Sequence, residues 1–359
     1  MTKFILLSDI HFHNWSQFST LDNNVNSRLK DILNVCNEAT DYAKKHKIKH
    51  MILCGDTFHK RGTVDVITMI EVQKWLTRSV QLGIQIYILV GNHDQAVINA
   101  SYNVMDLFET HTGYYGEGSV EIISEATTLP MTYKKGKQVC CKTFYFVPFE
   151  ENYLEIQKKL QSDDCRKADF LVGHFGVYGA KLVNTDLYLP NSVKLKDAKF
   201  DNLTAGFLGH YHVHQQVLAD PPVYYVGSPL HHTFHDTGHD KGFVVGDFES
   251  PKIKHIKTSY PEFCKIEANN DEEIIHQTKG HNYYRIICNN FTPSAKTLET
   301  IEGIAKSFEI VPIYKKQTNL DQKTEFDYTQ IIKDYLAGTS HPNKAELYKE
   351  LKQLANDKY

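Results

Sequence analysis

The sequence predicts an α/β fold in which helices cover a largely parallel sheet, with a smaller α+β domain and a helical tail after it. Short apolar runs that fit buried strands alternate with longer amphipathic segments over the first hundred residues. Several of these runs end in clusters of Gly, Asp, Asn and His. The order strand–helix–strand–helix–strand requires parallel strands joined by right-handed crossover helices.

Each element follows from its local pattern. Aliphatic and aromatic runs predict strands, and apolar residues at helical spacing predict helices. In the first domain, residues 1–258, the helices are expected at 26–45, 64–80 and 102–109, and strand-like runs at 3–8, 48–54, 84–90, 120–124, 142–149, 169–175, 205–217, 223–232 and 242–249. The smaller domain, residues 259–320, has strand-like runs at 263–268, 283–291 and 309–316 and a helix at 294–308. Residues 321–359 form the tail.

Composition narrows the functional classes. The 359 residues are 41% hydrophobic and 23% charged, as in an ordinary globular protein. A net charge of −3 excludes a globally basic nucleic-acid binder, so any DNA contact must come from local patches. Seven scattered cysteines without a CxxC pair indicate neither a disulfide framework nor a thiolate zinc site. No signal peptide or membrane span is recognisable, and we expect a cytoplasmic protein, in the bacterial host if it is viral.

The stretch after the third predicted strand is the most informative. The run 84–90 ends in Gly91, Asn92, His93 and Asp94. Gly91 allows close approach of the backbone to a ligand. Asn92 offers a carbonyl oxygen, His93 an imidazole, and Asp94 a carboxylate that could orient and charge that imidazole.

Other strand ends carry the same types of side chain. Because the carboxyl ends of parallel strands lie along one edge, these side chains should meet there. They are Asp9, His11, Asp56, Asn92, His174, His210 and His212. Two carboxylates, one amide oxygen and four imidazoles suit Mn²⁺, Fe²⁺ or Zn²⁺, and seven ligands fit two octahedral ions bridged by a carboxylate. Such an ion pair, about 3.5–4 Å apart, activates water and clamps phosphoryl oxygens.

The motifs SDIH, GDTFH, GNHD, GHF and GHYH, in this order, resemble those of the metallophosphoesterase superfamily over most of residues 1–215. Finer features resemble the SbcD-like branch of double-strand-break repair nucleases, including its phage members. These features are the histidine in GDTFH, the YVGSP strand followed by Lys241-Gly242-Phe243, and a small capping domain followed by a helical tail.

The resemblance implies a role for each motif residue. Asp9, His11, Asp56 and His212 would surround one ion, and Asp56, Asn92, His174 and His210 the other, with Asp56 bridging. His93 would stand over the scissile phosphate as an imidazolium, with Asp94 keeping it charged. His59 would be a second histidine on the phosphate side, positioning the DNA backbone, although a surface histidine on a loop is the alternative.

The resemblance also implies an activity and partners. The chain would be a Mn²⁺-dependent DNA exonuclease or endonuclease with a DNA-binding cap, paired with an SbcC-like coiled-coil ATPase. The tail helix, with Leu347, Leu351 and Leu354 on one stripe, would dock on that coiled coil or pack back onto its own cap. Segment 102–109 would form a homodimer contact or serve the core.

Two competing functions remain open at this stage. One is a small-molecule or protein metallophosphoesterase, such as a cyclic-nucleotide phosphodiesterase or a phosphatase. The other is a structural member of the fold with an inactive site, which the complete set of ligands argues against. Two groups of residues are expected to be solvated: the histidines His13, His214, His231, His232, His235 and His239, and the lysine clusters Lys134, Lys135 and Lys137 and Lys194, Lys196 and Lys199, which could alternatively contact phosphates.

Overall fold

The computed structural model describes residues 2–97, 102–111, 118–181, 192–314, 347–349 and 351. The chain forms two compact units, Met1–Ile313 and Tyr314–Tyr359. Among the described residues of the second unit, 347–349 and 351 are helical, as predicted, whereas Leu354 lies outside the described residues. No helix in the described part of the chain is both long and apolar enough to cross a membrane.

The first unit contains strands and α-helices that we number in chain order. The strands are β1 (Lys3–Leu7), β2 (Leu21–Asp22), β3 (Val25–Asn26), β4 (His50–Leu53), β5 (Gln85–Leu89), β6 (Ser119–Ile123), β7 (Thr127–Lys135), β8 (Gln138–Val147), β9 (Phe170–His174), β10 (Ala205–Gly209), β11 (Gln215–Ala219), β12 (Pro222–Tyr225), β13 (Gly242–Asp247), β14 (Ser250–Lys257), β15 (Phe263–Ala268), β16 (Tyr283–Asn289) and β17 (Ser307–Ile313). The α-helices are α1 (Ser27–His46), α2 (Val66–Gln81), α3 (Tyr153–Lys159), α4 (Asp163–Lys167), α5 (Asp271–Gln277) and α6 (Ala295–Glu302).

Two six-stranded sheets face each other. The first has the order β14-β13-β1-β4-β5-β6, with β1, β4, β5 and β6 parallel as predicted. The second has the order β11-β12-β10-β9-β8-β7, with β8, β9, β10 and β12 parallel. The expected α/β architecture is therefore confirmed, and its parallel strands are divided between two mixed sheets.

An aromatic core joins the sheets. Phe4 of β1 packs edge-on against Phe144, Phe170 and Phe207 of the opposite sheet, with ring centroids 5.4 to 5.7 Å apart. Both α1 and α2 contribute their apolar faces to a second core that includes buried residues of β1, β4 and β5. Burial of apolar area at about 25 cal/mol per Å² makes these cores the main stabilising contribution.

A small three-stranded module completes the first unit. Strands β15, β16 and β17 are parallel and are linked by α5 and α6, with a core of their own. The module contacts the rest of the unit through Phe263 and Tyr283, which pack against Phe234 and Phe18. Whether residues 259–320 act as a separate domain stays a prediction.

The sequence patterns located most elements but missed several. Strands β2, β3, β7 and β14 and helices α3, α4 and α5 were not predicted, and segment 102–109 is the 3₁₀ helix Val104–His111, not an α-helix. In the two six-stranded sheets, the missed strands β7 and β14 are both edge strands. Edge strands carry charged residues that obscure the alternating pattern, as Lys252, Lys254 and Lys257 do in β14.

Candidate dinuclear metal site

The predicted ligands meet at one end of the two-sheet sandwich. Asp9, Asp56 and Asn92 follow β1, β4 and β5 of the first sheet. His174 ends β9 and His210 follows β10, both in the second sheet. The prediction that the ligands share one sheet edge was therefore wrong, because β9 and β10 pair with each other in the opposite sheet. Their carboxyl ends still point the same way.

Left-handed backbone conformations direct several of these side chains. Asp9, His11 and Asp56 have φ angles of 50°, 51° and 53°, and His210 has 99°. These values are uncommon for residues with a Cβ and cluster at functional sites. The turns are fixed by backbone hydrogen bonds, since the amide of Asp9 donates to the carbonyl of Gly55 and the amide of His11 to that of Asp56, both at 3.0 Å.

One group of ligands combines both sheets. Nε2 of His11 lies 3.1 Å from Nε2 of His212 and 3.7 Å from Oδ2 of Asp56. Nε2 of His212 lies 3.9 Å from Oδ1 of Asp9, whose carboxylate is fully buried. These four residues are the set predicted for the first ion.

The second group is equally compact. Oδ1 of Asn92 lies 3.1 Å from both Nε2 of His174 and Nδ1 of His210. Nε2 of His174 lies 3.4 Å from Oδ1 of Asp56, so Asp56 belongs to both groups. Nδ1 of His174 bonds the carbonyl of Cys54 at 2.7 Å, which fixes that nitrogen as the donor and leaves Nε2 free to ligate.

The donor atoms fit divalent cations. Cis ligands at about 2.1 Å from one ion lie about 3 Å apart, which matches the facing nitrogen and oxygen pairs in both groups. Burial alone would raise the pKa of Asp56, yet His174 and His11 beside it hold that pKa well below its usual range. Burial likewise would lower the pKa of His174, but Asp56 and Asp9 raise it to about 9. The buried carboxylates thus favour a nearby positive charge.

His93 lies beside both groups. Its amide donates to Oδ1 of Asp56 at 2.8 Å, and Nδ1 of its ring bonds the carbonyl of His59. Its ring centroid lies 4.9 Å from that of His11. This position leaves Nε2, the other ring nitrogen, as the atom that could reach a substrate.

Asp94 makes different contacts from those expected. Its carboxylate accepts hydrogen bonds from the amides of Phe58 and Gly91, both at 2.9 Å, and it is almost fully buried. The expectation that Asp94 orients the His93 ring is corrected, because that ring is held by the His59 carbonyl instead. Asp94 fixes the turn that carries Asn92 and His93. Burial and the nearby Asp56 raise the pKa of Asp94 to about 7.

An aromatic wall adjoins the metal-ligand groups. The ring of His59 packs at a tilt against Trp15 with centroids 4.3 Å apart, and it stacks on His93 with centroids 5.4 Å apart. His13 lies 5.1 Å from His59. Burial and the neighbouring His13 lower the pKa of His59 to about 4. We call these residues, Trp15, His59 and His13, the aromatic wall.

Sequence reasoning did not place His232, Asp236 and Lys241 at the site. His232 was expected to be solvated but is buried, with Nε2 bonding the carbonyl of Asp9 at 2.9 Å. His231 is buried as well, so that expectation was wrong for both. Asp236 and Lys241 form a buried ion pair at 2.6 Å next to His212. In the sequence, the only feature that could have indicated these residues was the KGF motif, in which Lys241 precedes a core strand.

The lysine cluster that contains Lys134 and Lys135 lies away from the predicted ligands. Lys134 lines a cleft with Lys3 and Lys49, which stand at the amino ends of β1 and β4. Lys135 forms an ion pair with Glu249. This cluster therefore lies at the other end of the strands from the metal-ligand groups, which removes it from the candidate site.

A two-sheet α/β sandwich with carboxylate, amide and imidazole ligands for two ions defines a metal-dependent hydrolase. When bound, two divalent ions would supply an activated water and charge stabilisation for a phosphoryl group. Residues 2–214 match the family described as calcineurin-like phosphoesterase, and the chain belongs to that family. Its members use two divalent metal ions to hydrolyse phosphoesters.

Two of the solved structures that align with this chain do so at low similarity. One is GAP50, the anchor in the inner membrane complex of Plasmodium, at 12% identity and a TM-score of 0.46, covering 72% of this chain and 89% of that chain. Another is a dimetal phosphatase from Danio rerio, at 10% identity and a TM-score of 0.41, covering 72% of this chain and 99% of that chain. The family assignment depends on the sequence match.

Proposed function

We propose that this phosphoesterase is a Mn²⁺-dependent DNA exonuclease or endonuclease, the catalytic subunit of an SbcCD-like nuclease–ATPase complex in DNA recombination, repair or replication. The observation that carries the proposal is the aromatic wall beside His93. Flat rings next to a phosphate site suit a nucleic-acid strand, since bases stack on them while the backbone enters the metal site. The mixed nitrogen and oxygen ligands suit Mn²⁺, Fe²⁺ or Zn²⁺, and the resemblance to SbcD-like nucleases favours Mn²⁺ among them.

The size of the cleft supports a polymeric substrate. The cleft lined by the metal ligands, Trp15, His59 and His93 holds about 230 Å³. Pockets that enclose a small organic ligand usually hold roughly 300–1,000 Å³. A single phosphate group would therefore enter, while the rest of the substrate lies outside, as a DNA backbone can.

Residues of the chain would contribute to catalysis and to substrate binding in different ways. Nε2 of His93 would donate a proton or a hydrogen bond to the phosphate or the leaving oxygen, a role that commonly contributes 10²–10⁴-fold. The His59 carbonyl orients that ring. The small module packs through Phe263 and Tyr283 on Phe234, which lies in the chain between the cleft-lining Thr233 and Asp236. This position fits the proposed DNA-binding cap.

The first experiment is degradation of end-labelled linear duplex DNA with Mn²⁺ by the wild type and His93→Ala. Cleavage that needs Mn²⁺ and is lost in the variant, with metal binding intact, supports the proposal. Brisk hydrolysis of nucleotides or phosphoprotein without DNA cleavage, even with the ATPase partner present, would favour a small-molecule or protein phosphoesterase instead.

A second experiment isolates the aromatic wall. Trp15→Ala removes the ring that packs against His59 without removing a predicted ligand. The kcat/KM for DNA should fall about 10-fold, within the range expected for one stacked base, while hydrolysis of bis(p-nitrophenyl) phosphate stays within twofold. An equal loss on both substrates would show that Trp15 merely supports the site.

A homodimer contact is proposed at the helix Val104–His111. Met105 and Phe108 are buried, whereas Leu107 is 58% exposed and the preceding Tyr102 is 77% exposed. One face thus serves the core and the other is available to a second copy. Leu107→Glu should convert a dimer to a monomer in light scattering, and Val139→Glu, at an exposed hairpin position, should not. A wild type that is monomeric at high concentration refutes the contact.

The tail is the proposed docking element for the coiled-coil ATPase. Removing residues 340–359 should abolish co-purification with that partner and leave Mn²⁺-dependent hydrolysis of a small phosphodiester unchanged. Retained binding of the ATPase by the shortened chain would rule out this role.

A further inference from the structure

We infer that the buried Lys241–Asp236 pair is a positioning device for the metal site, tying the ligands of the two sheets to each other. Lys241 is 1% exposed, and Nζ donates to Oδ1 of Asp236 at 2.6 Å and to the carbonyl of His212 at 2.7 Å. A fully buried lysine is rare unless it is paired. Besides its pairing with Asp236, the Lys241 ammonium group donates a hydrogen bond to the backbone carbonyl of His212, a predicted ligand.

The second carboxylate oxygen of Asp236 continues the chain of contacts. Oδ2 accepts the amide of His232 at 3.0 Å and that of Thr233 at 3.1 Å. His232 in turn bonds the carbonyl of Asp9 through Nε2 at 2.9 Å. The path from His212 through Lys241, Asp236 and His232 therefore ends on Asp9. We call these three linking residues the brace.

The brace lies in the segment 226–241, which joins β12 of the second sheet to β13 of the first. Asp9 belongs to the end of β1 in the first sheet, and His212 follows β10 in the second. Their side chains stand 3.9 Å apart in the first metal group, and a shift of either sheet would separate them. The brace fixes both backbones through its hydrogen bonds to the carbonyls of His212 and Asp9.

Further contacts anchor the brace itself. Nη2 of Arg28 donates to the carbonyl of His232 at 2.6 Å, and the amide of Ser228 donates to the carbonyl of His212 at 3.1 Å. Among the described residues, Nδ1 of the buried His232 ring has no hydrogen-bond partner, and the ring centroid lies 5.2 Å from that of His11. Its position is thus defined by Asp9, Asp236 and Arg28. A rigid support of this kind commonly changes metal affinity 10–100-fold when removed.

The test measures metal binding without substrate, so its result does not depend on which phosphoester is hydrolysed. Lys241→Met alone leaves a buried unpaired carboxylate, so the main variant is Asp236→Leu with Lys241→Met, which removes both charges at similar volume. The control applies the same pair of changes, Asp31→Leu with Lys306→Met, to a largely buried pair at 2.5 Å outside the metal-ligand groups. Circular dichroism checks folding.

Isothermal titration with Mn²⁺ should resolve two binding events in the wild type. In the brace variant we expect one event to weaken at least 10-fold and the other to stay within twofold, with both unchanged in the control. A folded brace variant with two unchanged affinities would overturn the inference. Equal weakening of both events, or the same loss in the control, would also overturn it, because the effect would then be general loosening.

Discussion

Gly91→Ala should disable the metal site although it adds a single methyl group far from any surface. A Cβ at this position would lie 2.3 Å from both the amide nitrogen and Oδ1 of Asp56, whereas ordinary contact begins at 3.4 Å. One of the two backbones must therefore move by about 1 Å. The φ angle of Gly91 is not in the left-handed region, so the effect is purely steric.

Asp56 is shared by both groups of ligands, so its displacement affects both. A misplacement of about 1 Å commonly costs on the order of 100-fold in rate, and overpacking a tight core costs about 1–3 kcal/mol of stability. We expect hydrolysis of bis(p-nitrophenyl) phosphate with Mn²⁺ to fall about 100-fold. The melting temperature should fall by at most about 12 °C, because each kcal/mol shifts it by no more than about 2–4 °C in a chain of this length.

Gly303→Ala is the matched control. Its Cβ would meet only the carbonyl of Thr300 at 3.5 Å, and Gly303 has helical backbone angles at the end of α6. Activity and melting temperature should stay unchanged there. If Gly91→Ala keeps activity within twofold of the wild type, the close approach of the GNHD turn to Asp56 is not needed, and the steric reasoning fails.

Three further predictions concern stability. Chelation of metal should lower the melting temperature, because ions at 100 times their Kd stabilise the folded state by about 2.7 kcal/mol. Calorimetry with Mn²⁺ and with EDTA would give equal melting temperatures if the site binds no metal. Burial and His214 lower the pKa of His255 to about 4. The contribution of neutral His255 to the free energy of unfolding is therefore complete above pH 6.5 and is lost as the pH falls to 4. In urea titrations His255→Asn should reduce that loss by about 1 kcal/mol, after allowance for solvent screening, and an unchanged dependence of stability on pH would contradict this. Lys241→Met should cost about 3–5 kcal/mol in chemical denaturation, and the double variant with Asp236→Leu much less; similar losses in both would argue against a buried unpaired carboxylate as the cause.

The sequence was informative where the determinants are local. The apolar runs before Asp9, Asp56 and Asn92 predicted buried parallel strands, because such strands are apolar on both faces. The polar residues that follow them were predicted as ligands, since chemistry restricts which side chains can bind a metal ion, and the structure brings them together. The same reasoning located most strands of the small module.

The features that could not be predicted are those that depend on contacts between residues distant in the chain. Nothing in the run around His174 shows that β9 pairs with β10 in a second sheet instead of joining β5. Strand β7 carries Pro130 and two terminal lysines, which is acceptable at an edge but weakens a strand pattern. Lys241 looks like a surface residue, because only the fold reveals that Asp236 and the His212 carbonyl surround its ammonium group.

Because the metal ligands come from both sheets, a bound ion would act as a removable cross-link across the sandwich. His11 and His212 are separated by 201 positions, so an ion held by both closes a very long loop. A nascent chain could not bind that ion until His212 had left the ribosome. Binding of the ion would then indicate that both sheets have assembled. Without metal, the two sheets would be held together by apolar packing and the brace.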